Sequence, residues 1–307
     1  MLKIRYSSRA DFISLGAVGA VYKINDRIAL KIPREADRNK FAIEIATYDT
    51  LERHRPPCPD IAQSFLRTPD ANFLAFYSHG TLDKRIRSHQ VRSNEVLGGR
   101  LLQVTELEPL NLVHQWAMEL SSGAAWLESL GLAHADLRPP NLLLDGQDHL
   151  KIADFDCVEA IGTLASGGAP PWARFCGPEG GDESGTFGKN GARVEQFSIG
   201  SILYFMSRGY EPYDDGAMWP RGPEIVDLMM DMQFPPIGEM DVDMTIQRCW
   251  RGEYLMLKDL ANDTKLLHGA FSLPRAASFD DQYCKHAREE CRKLVESGLL
   301  RSFDRTF

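Results

Sequence analysis

Asp136, Asn141 and Asp154 stand at intervals that suit one kind of chemistry. The run His134-Ala135-Asp136-Leu137-Arg138-Pro139-Pro140-Asn141 is followed, after a short apolar stretch, by Asp154-Phe155-Asp156. These side chains handle protons and hard cations: a carboxylate can face and deprotonate a hydroxyl, and carboxylate and carboxamide oxygens are ligands for Mg²⁺. Phosphoryl transfer asks for such a set, because it demands little covalent chemistry of a protein and much positioning.

Such groups need elements that hold them. Ser14-Leu15-Gly16-Ala17-Val18-Gly19-Ala20-Val21 is a glycine loop with apolar residues alternating on both sides, which predicts two strands of a hairpin. Asn25-Asp26 makes the next turn. Ile28-Ala29-Leu30-Lys31-Ile32 is then a short apolar strand interrupted by one lysine. Phe41, Ile45, Tyr48 and Leu51 recur near helical spacing over residues 39–53, with Glu44 among them, and the proline-rich run at 56–59 ends that helix. Strands over 61–66 and 71–76 complete a five-stranded set, and Tyr77-Ser78-His79-Gly80 reads as a junction. Beyond it the pattern is helical: Leu112, Trp116, Leu120, Ala124 and Leu127 up to Gly131, another apolar helix over 194–207, and a last one over 281–299. Cys284, Ala287, Cys291, Leu294 and Val295 form the expected buried stripe of that last helix.

In this order the segments resemble the eukaryotic-type protein kinase superfamily. Residues 14–21 are similar to G-x-G-x-x-G-x-V with Ser14 for the first glycine, and residues 28–32 to V-A-I-K. His134 to Asn141 resembles H-R-D-x-x-x-x-N, and Asp154-Phe155-Asp156 resembles D-F-G. Cys176-Gly177-Pro178-Glu179 stands for A-P-E, Glu195-Gln196-Phe197-Ser198-Ile199-Gly200 for D-x-W-S-x-G, and Cys249-Trp250-Arg251 supplies an arginine expected to pair with Glu179. The likeness runs from about residue 12 to residue 252. Residues 44–48 and 249–254 look most like divergent kinase-like proteins of filamentous fungi.

The resemblance implies an α+β, bilobal kinase fold: a small antiparallel β-sheet lobe with one main helix over residues 1–77, and a larger, mainly helical lobe over 78–307, capped by the last helix. It implies ATP with Mg²⁺, or Mn²⁺, as cofactors. Nucleotide binding would fall to Leu15, Gly16, Gly19, Val21, Ala29, Lys31, Glu44, Phe76 and Tyr77, with Lys31 held by Glu44. Asn141 and Asp154 would bind the metal, Asp136 would orient and deprotonate the acceptor hydroxyl, and Arg138 would neutralise charge on the transferred group.

Three departures bear on competence. Ala135 replaces the arginine of H-R-D, so control by loop phosphorylation is not expected. Asp156 replaces the glycine of D-F-G and adds a carboxylate near a metal ligand, and Ser14 interrupts the glycine loop. The expected function is an ATP-dependent protein kinase acting on protein hydroxyls, with serine or threonine first. The alternative is a pseudokinase that binds nucleotide or a partner as a scaffold. A small-molecule kinase of related fold is disfavoured by Glu179, Arg251 and the full larger lobe. The segment between Asp154 and Glu179, with Gly167-Gly168 and Pro170-Pro171, is expected to be a mobile loop.

Composition agrees and excludes. The 307 residues suit one bilobal domain, and a net charge of -8 gives no basic face for nucleic acid. Arg85, Arg87 and Arg92 read as a solvated local cluster. The sequence shows no signal-peptide core and no apolar run near the ~20 residues of a membrane span. The six cysteines show neither C-x-x-C nor zinc spacing and are expected reduced, in an intracellular protein of cytoplasm or nucleus with ATP and a protein substrate as partners.

Overall fold

The alternating apolar residues of the first third form a sheet, as their period of two requires. The structure is a computed structural model and describes residues 12–94, 99–214, 222–271 and 273–302. It divides into two compact units, one of residues 1–78, 153–158 and 276–307, the other of 79–152 and 159–275.

The first unit is built on an antiparallel sheet of β1 (Phe12–Leu15), β2 (Gly19–Lys23), β3 (Ile28–Pro33), β4 (Ser64–Thr68) and β5 (Ala71–Ala75) in the order β1-β2-β3-β5-β4. The helix α1 (Arg38–Arg53) lies between β3 and β4 in the chain. The central strand β3 is buried from Ile28 to Lys31, because β2 and β5 cover its edges. Lys31 stands opposite Val21 on one side and Asn72 on the other, and Asn72 stands opposite Arg67 on β4. β4 begins at Ser64 and not at Ile61, because the Ile61 amide closes a turn on the Cys58 carbonyl (3.4 Å).

The second unit is mainly helical, with α2 (Leu82–Arg87), α3 (Leu110–Ser129), α4 (Ala192–Arg208), α5 (Gly222–Met230), α6 (Asp241–Arg251) and α7 (Leu257–Lys265). Its short strands are β6 (Gly80–Thr81), β7 (Gln90–Arg92), β8 (Leu101–Val104), β9 (Leu132–Ala133), β10 (Leu142–Leu144), β11 (Leu150–Ile152) and β12 (Glu159–Ala160). α3 is buried nearly all round, since α4, α7 and β11 surround it. Most of its buried residues are apolar, with His114, Gln115, Glu119 and Ser121 as polar exceptions. No helix among the described residues is long and apolar enough to cross a membrane.

Gly200 lets α4 approach α6. A Cβ there would lie 2.7 Å from the Cys249 Cβ and 3.2 Å from Trp250 Cδ1. Both obstacles are fixed to the α6 backbone, so Gly200→Ala is expected to lower stability by about 1–3 kcal/mol through overpacking, despite alanine's better helix propensity. The urea midpoint measures it, and an unchanged midpoint would mean that α6 yields freely.

Four expectations are corrected here. The last helix, α8 (Asp281–Glu296), expected as a cap on the larger lobe, belongs to the first unit and packs on its β4. Phe279 and Tyr283 stack on each other (4.7 Å, 10°) beside Phe65, and Arg288 Nε donates to the Phe65 carbonyl (2.8 Å). Ala287 and Cys291 form its buried stripe, while Cys284, Leu294 and Val295 are only half-buried.

Arg85, Arg87 and Arg92 are not merely solvated. Arg85 pairs with Glu108 (2.6 Å), Arg87 with Asp83 (2.8 Å) and Glu211, and Arg92 with Asp214. Glu108, Glu211 and Asp214 fold back on the cluster from distant segments.

The segment expected to be a mobile loop makes hydrogen bonds to its surroundings at Thr163, Ala165 and Trp172. Ala165 donates its amide to the Gly188 carbonyl (2.9 Å), Asn190 to the Thr163 carbonyl (2.8 Å), and Ser198 Oγ donates to the Trp172 carbonyl (2.7 Å). Glu179 pairs with Arg174 (2.7 Å) and Arg193 (3.3 Å). Arg251 is exposed at the end of α6 and is not among its described partners. Arg193 Cγ lies 3.7 Å from where a Cβ on Gly252 would stand.

Candidate active site

In the first unit a lysine ammonium is enclosed by carboxylates. Lys31 is 6% exposed, and its Nζ donates to Glu44 Oε2 and Asp154 Oδ1 and lies 3.7 Å from Asp156 Oδ2. Burial works against the ammonium, but the Glu44, Asp154 and Asp156 carboxylates outweigh it and hold its pKa above the ordinary lysine value. Burial pushes the Glu44 carboxyl up, while Lys31 pulls it down. The second Glu44 oxygen accepts from Asn72 Nδ2 (2.8 Å). With two donors on its two oxygens, Glu44 has the partners of an ionised carboxylate.

Asp154 reaches Lys31 from a left-handed backbone (φ 69°, ψ 69°), a conformation that aspartate tolerates better than most residues. Phe155 then packs edge-on against Tyr48 of α1 (5.1 Å, 89°). Asp156, in the glycine position of D-F-G, is buried; burial and the Asp154 charge push its carboxyl up. Glu44, Asp154 and Asp156 bring ligand oxygens within 4.8 Å of one another. As a donor set they suit Mg²⁺, but both Glu44 oxygens are engaged. Asp154, with 33% of its side chain exposed, is the most accessible of the three.

The glycine loop turns as β1 and β2 demand. The Gly16 amide donates to the Gly19 carbonyl (2.9 Å), and a Cβ on Gly19 would lie 2.2 Å from the Ile32 carbonyl oxygen, so only glycine fits. Leu15 and Gly16 are exposed, Val21 is half-buried and Ala29 is buried. The Phe76 amide is given to the Arg27 carbonyl (2.9 Å), and the Tyr77 hydroxyl accepts from the Gln63 amide (3.0 Å). The Phe76 amide is therefore not left for a ligand.

In the second unit Asp136 is set by its own loop. Asn141 Nδ2 donates to its Oδ2 (2.8 Å) and to its carbonyl (2.9 Å), and Arg138 Nε donates to Oδ2 (3.0 Å). These bonds fix which end of the Asn141 amide is nitrogen and leave its Oδ1, a hard donor, for a cation. Behind the loop, Glu195 of α4 accepts from the His134 and Ala135 amides (3.0 Å each). Ala135 between them is left-handed (φ 62°), a strained state for alanine that Glu195 holds in place. Burial pushes the Glu195 carboxyl up, against the pull of His134. Glu195→Ala leaves two amides without their acceptor and frees Ala135, so a stability loss of about 2–4 kcal/mol is expected. Urea unfolding measures it; a loss below about 1 kcal/mol would mean that water replaces the carboxylate.

Lys31, Glu44 and Asp154 thus come together in one unit, and Asp136, Arg138 and Asn141 in the other. The sequence alone misses Asn72. Its signal is a lone carboxamide in the apolar run Ala71-Asn72-Phe73-Leu74-Ala75.

Comparison with known proteins agrees with these motifs. The protein kinase domain family matches residues 13–297. The chain is 33% identical over 202 residues, 63% of its length, to the CBL-interacting serine/threonine-protein kinase 8 of Arabidopsis thaliana. It is 27% identical over 165 residues, 46% of its length, to the serine/threonine-protein kinase stk11 of Xenopus laevis, and 24% identical over 318 residues, 97% of its length, to the receptor tyrosine-protein kinase erbB-4 of Homo sapiens. These matches span 39%, 37% and 21% of the relatives' own lengths, and the relatives are plant and animal proteins. With motifs, fold and a match over nearly the whole sequence in agreement, the chain belongs to the protein kinase domain family.

Proposed function

We propose that the chain is an ATP-dependent protein kinase that transfers the γ-phosphate of Mg-ATP to a serine or threonine hydroxyl of a protein. The observation that carries this reading is the buried Lys31–Glu44 pair beside Asp154. Such an ion pair is a poor stabiliser, because desolvation cancels much of its attraction, so a functional demand explains it better than packing does. Two relatives that are serine/threonine kinases by name support the acceptor class.

Bound Mg-ATP would supply the phosphoryl group. Lys31 would meet its phosphates, the amides near Gly16 and Gly19 would cover them, and Leu15, Val21 and Ala29 would line the nucleotide. Backbone carbonyls of Phe76 and Tyr77 would face the adenine. Asn141 and Asp154 are the proposed ligands of Mg²⁺, or of Mn²⁺ in its place. Asp136 would take the acceptor proton, and Arg138 would balance charge on the transferred group. The six free cysteines support a reducing compartment, cytoplasm or nucleus. The likeness of residues 44–48 and 249–254 to divergent fungal kinase-like proteins supports a divergent branch of the family.

One observation favours a second reading, a nucleotide-binding scaffold without turnover: Lys31 is held by Asp154 and approached by a buried Asp156 where the family has glycine. A thermal-shift titration with Mg-ATP beside phosphate transfer to generic serine/threonine and tyrosine acceptors separates the two. Stabilisation with transfer supports the kinase, and stabilisation without transfer supports the scaffold. No stabilisation would sink both.

A further inference from the structure

Asn72 is fully buried on β5, opposite Lys31 on β3 and Arg67 on β4. Its Nδ2 donates to Glu44 Oε1 (2.8 Å), and its Oδ1 accepts from Ser64 Oγ (2.6 Å). The partners settle the amide's orientation, since an ionised carboxylate only accepts. Ser64, itself fully buried, accepts in turn from Arg67 Nη1 (3.2 Å). Arg67 donates to Asp49 (2.7 Å) and Glu52 on α1, and Arg288 of α8 also donates to Glu52. A hydrogen-bonded chain therefore runs from the last helix, through β4 and β5, to the partner of Lys31.

A carboxylate held at one oxygen by a flexible ammonium can still turn about its last torsion, which is broad and soft. A second bond, on the other oxygen, fixes its plane. Packing gives no reason to bury a carboxamide here, since leucine has similar bulk and carries no desolvation cost. We propose that Asn72 is a positioning residue: it sets the Glu44 carboxylate and, through it, the Lys31 ammonium. The proposal rests on the reading of Lys31 as the phosphate-contacting lysine.

The test uses the full chain without nucleotide, pulsed with an amine-acylating ester, with Lys31 and the exposed Lys265 followed by mass spectrometry. Asn72→Leu is expected to raise Lys31 acylation about fivefold and leave Lys265 unchanged, a coupling of ordinary size for contacting residues. Glu44→Gln raises it too. On the Glu44→Gln background, Asn72→Leu is expected to add less than about twofold, because a residue that acts through Glu44 has nothing left to position. A merely structural role would give the same factor in both backgrounds. Asn72→Ala removes the carboxamide without adding bulk or charge; it serves if the leucine variant does not fold, with the same expected rise. An Asn72 variant that melts like the parent and acylates Lys31 at the parent rate would overturn the proposal, as would equal factors in the two backgrounds. A parent protein without a Mg-ATP thermal shift would instead overturn the nucleotide reading, and the acylation rates would still decide the role of Asn72.

Discussion

Asp136→Ala is expected to remove phosphate transfer by about 10²–10⁴-fold, the range that a positioned general base supplies, and to leave the fold intact. Asp136 holds Asn141 and Arg138 on one oxygen, Oδ2, which leaves Oδ1 to face an acceptor hydroxyl. The Arg138 side chain is 38% exposed, so losing that ion pair costs at most about 1 kcal/mol. Asn141 keeps its bond to the backbone carbonyl of residue 136, which the substitution preserves. Mg-ATP stabilisation should therefore survive in the variant while transfer disappears. The measurement is transfer to a generic acceptor beside a thermal-shift titration on both proteins. Undiminished transfer in Asp136→Ala would remove the base from the proposed reaction. Equal stabilisation in both proteins, with no transfer from either, would favour the scaffold reading.

The chemistry was legible in the sequence where the partners of a residue are close in the chain or implied by a regular element. Lys31 stands alone in a short apolar run that reads as a strand, and Glu44 stands on a helix whose apolar spacing is plain, so their pairing follows from two local patterns and one family order. Asp136, Arg138 and Asn141 need only their own loop. Asn72 is different. Its partners lie 8 and 28 residues away, on β4 and on α1, and only the tertiary fold of the unit brings them to it. The last helix shows the same limit. Its spacing marks a buried stripe, but a stripe does not say which surface covers it, and Phe65 of β4 is what Phe279 and Tyr283 meet. Arg251 illustrates a third kind of miss. The family order offers it to Glu179, yet Arg174 and Arg193 already bind that carboxylate, and no local pattern announces them.

Lys31→Met is expected to be the most damaging single change in the first unit. Methionine keeps much of the stem and removes the ammonium that Glu44, Asp154 and Asp156 share. Breaking a buried pair by deleting one partner costs about 3–5 kcal/mol, because the other charge stays behind without compensation. Glu44, 1% exposed, carries most of that loss, whereas Asp154 is partly solvated and carries less. The pH dependence identifies the cause. Burial already holds the Glu44 carboxyl above its ordinary value of 4.5, and Lys31 is what restrains it, so the variant's carboxyl rises further. A carboxyl raised in the native state binds its proton more tightly there than in the unfolded chain, so native stability increases as pH falls through the folded value, until the unfolded value is passed. The Lys31 ammonium stays charged throughout this range in the parent, since its pKa lies above 10.5. The deficit of Lys31→Met relative to the parent should therefore be largest at neutral pH and above, and shrink toward about pH 4.5. Urea unfolding of both proteins at a series of pH values reads it directly. A deficit that does not change with pH would mean that the carboxylates are not left charged when the ammonium is gone, and that Lys31 contributes packing and not compensation.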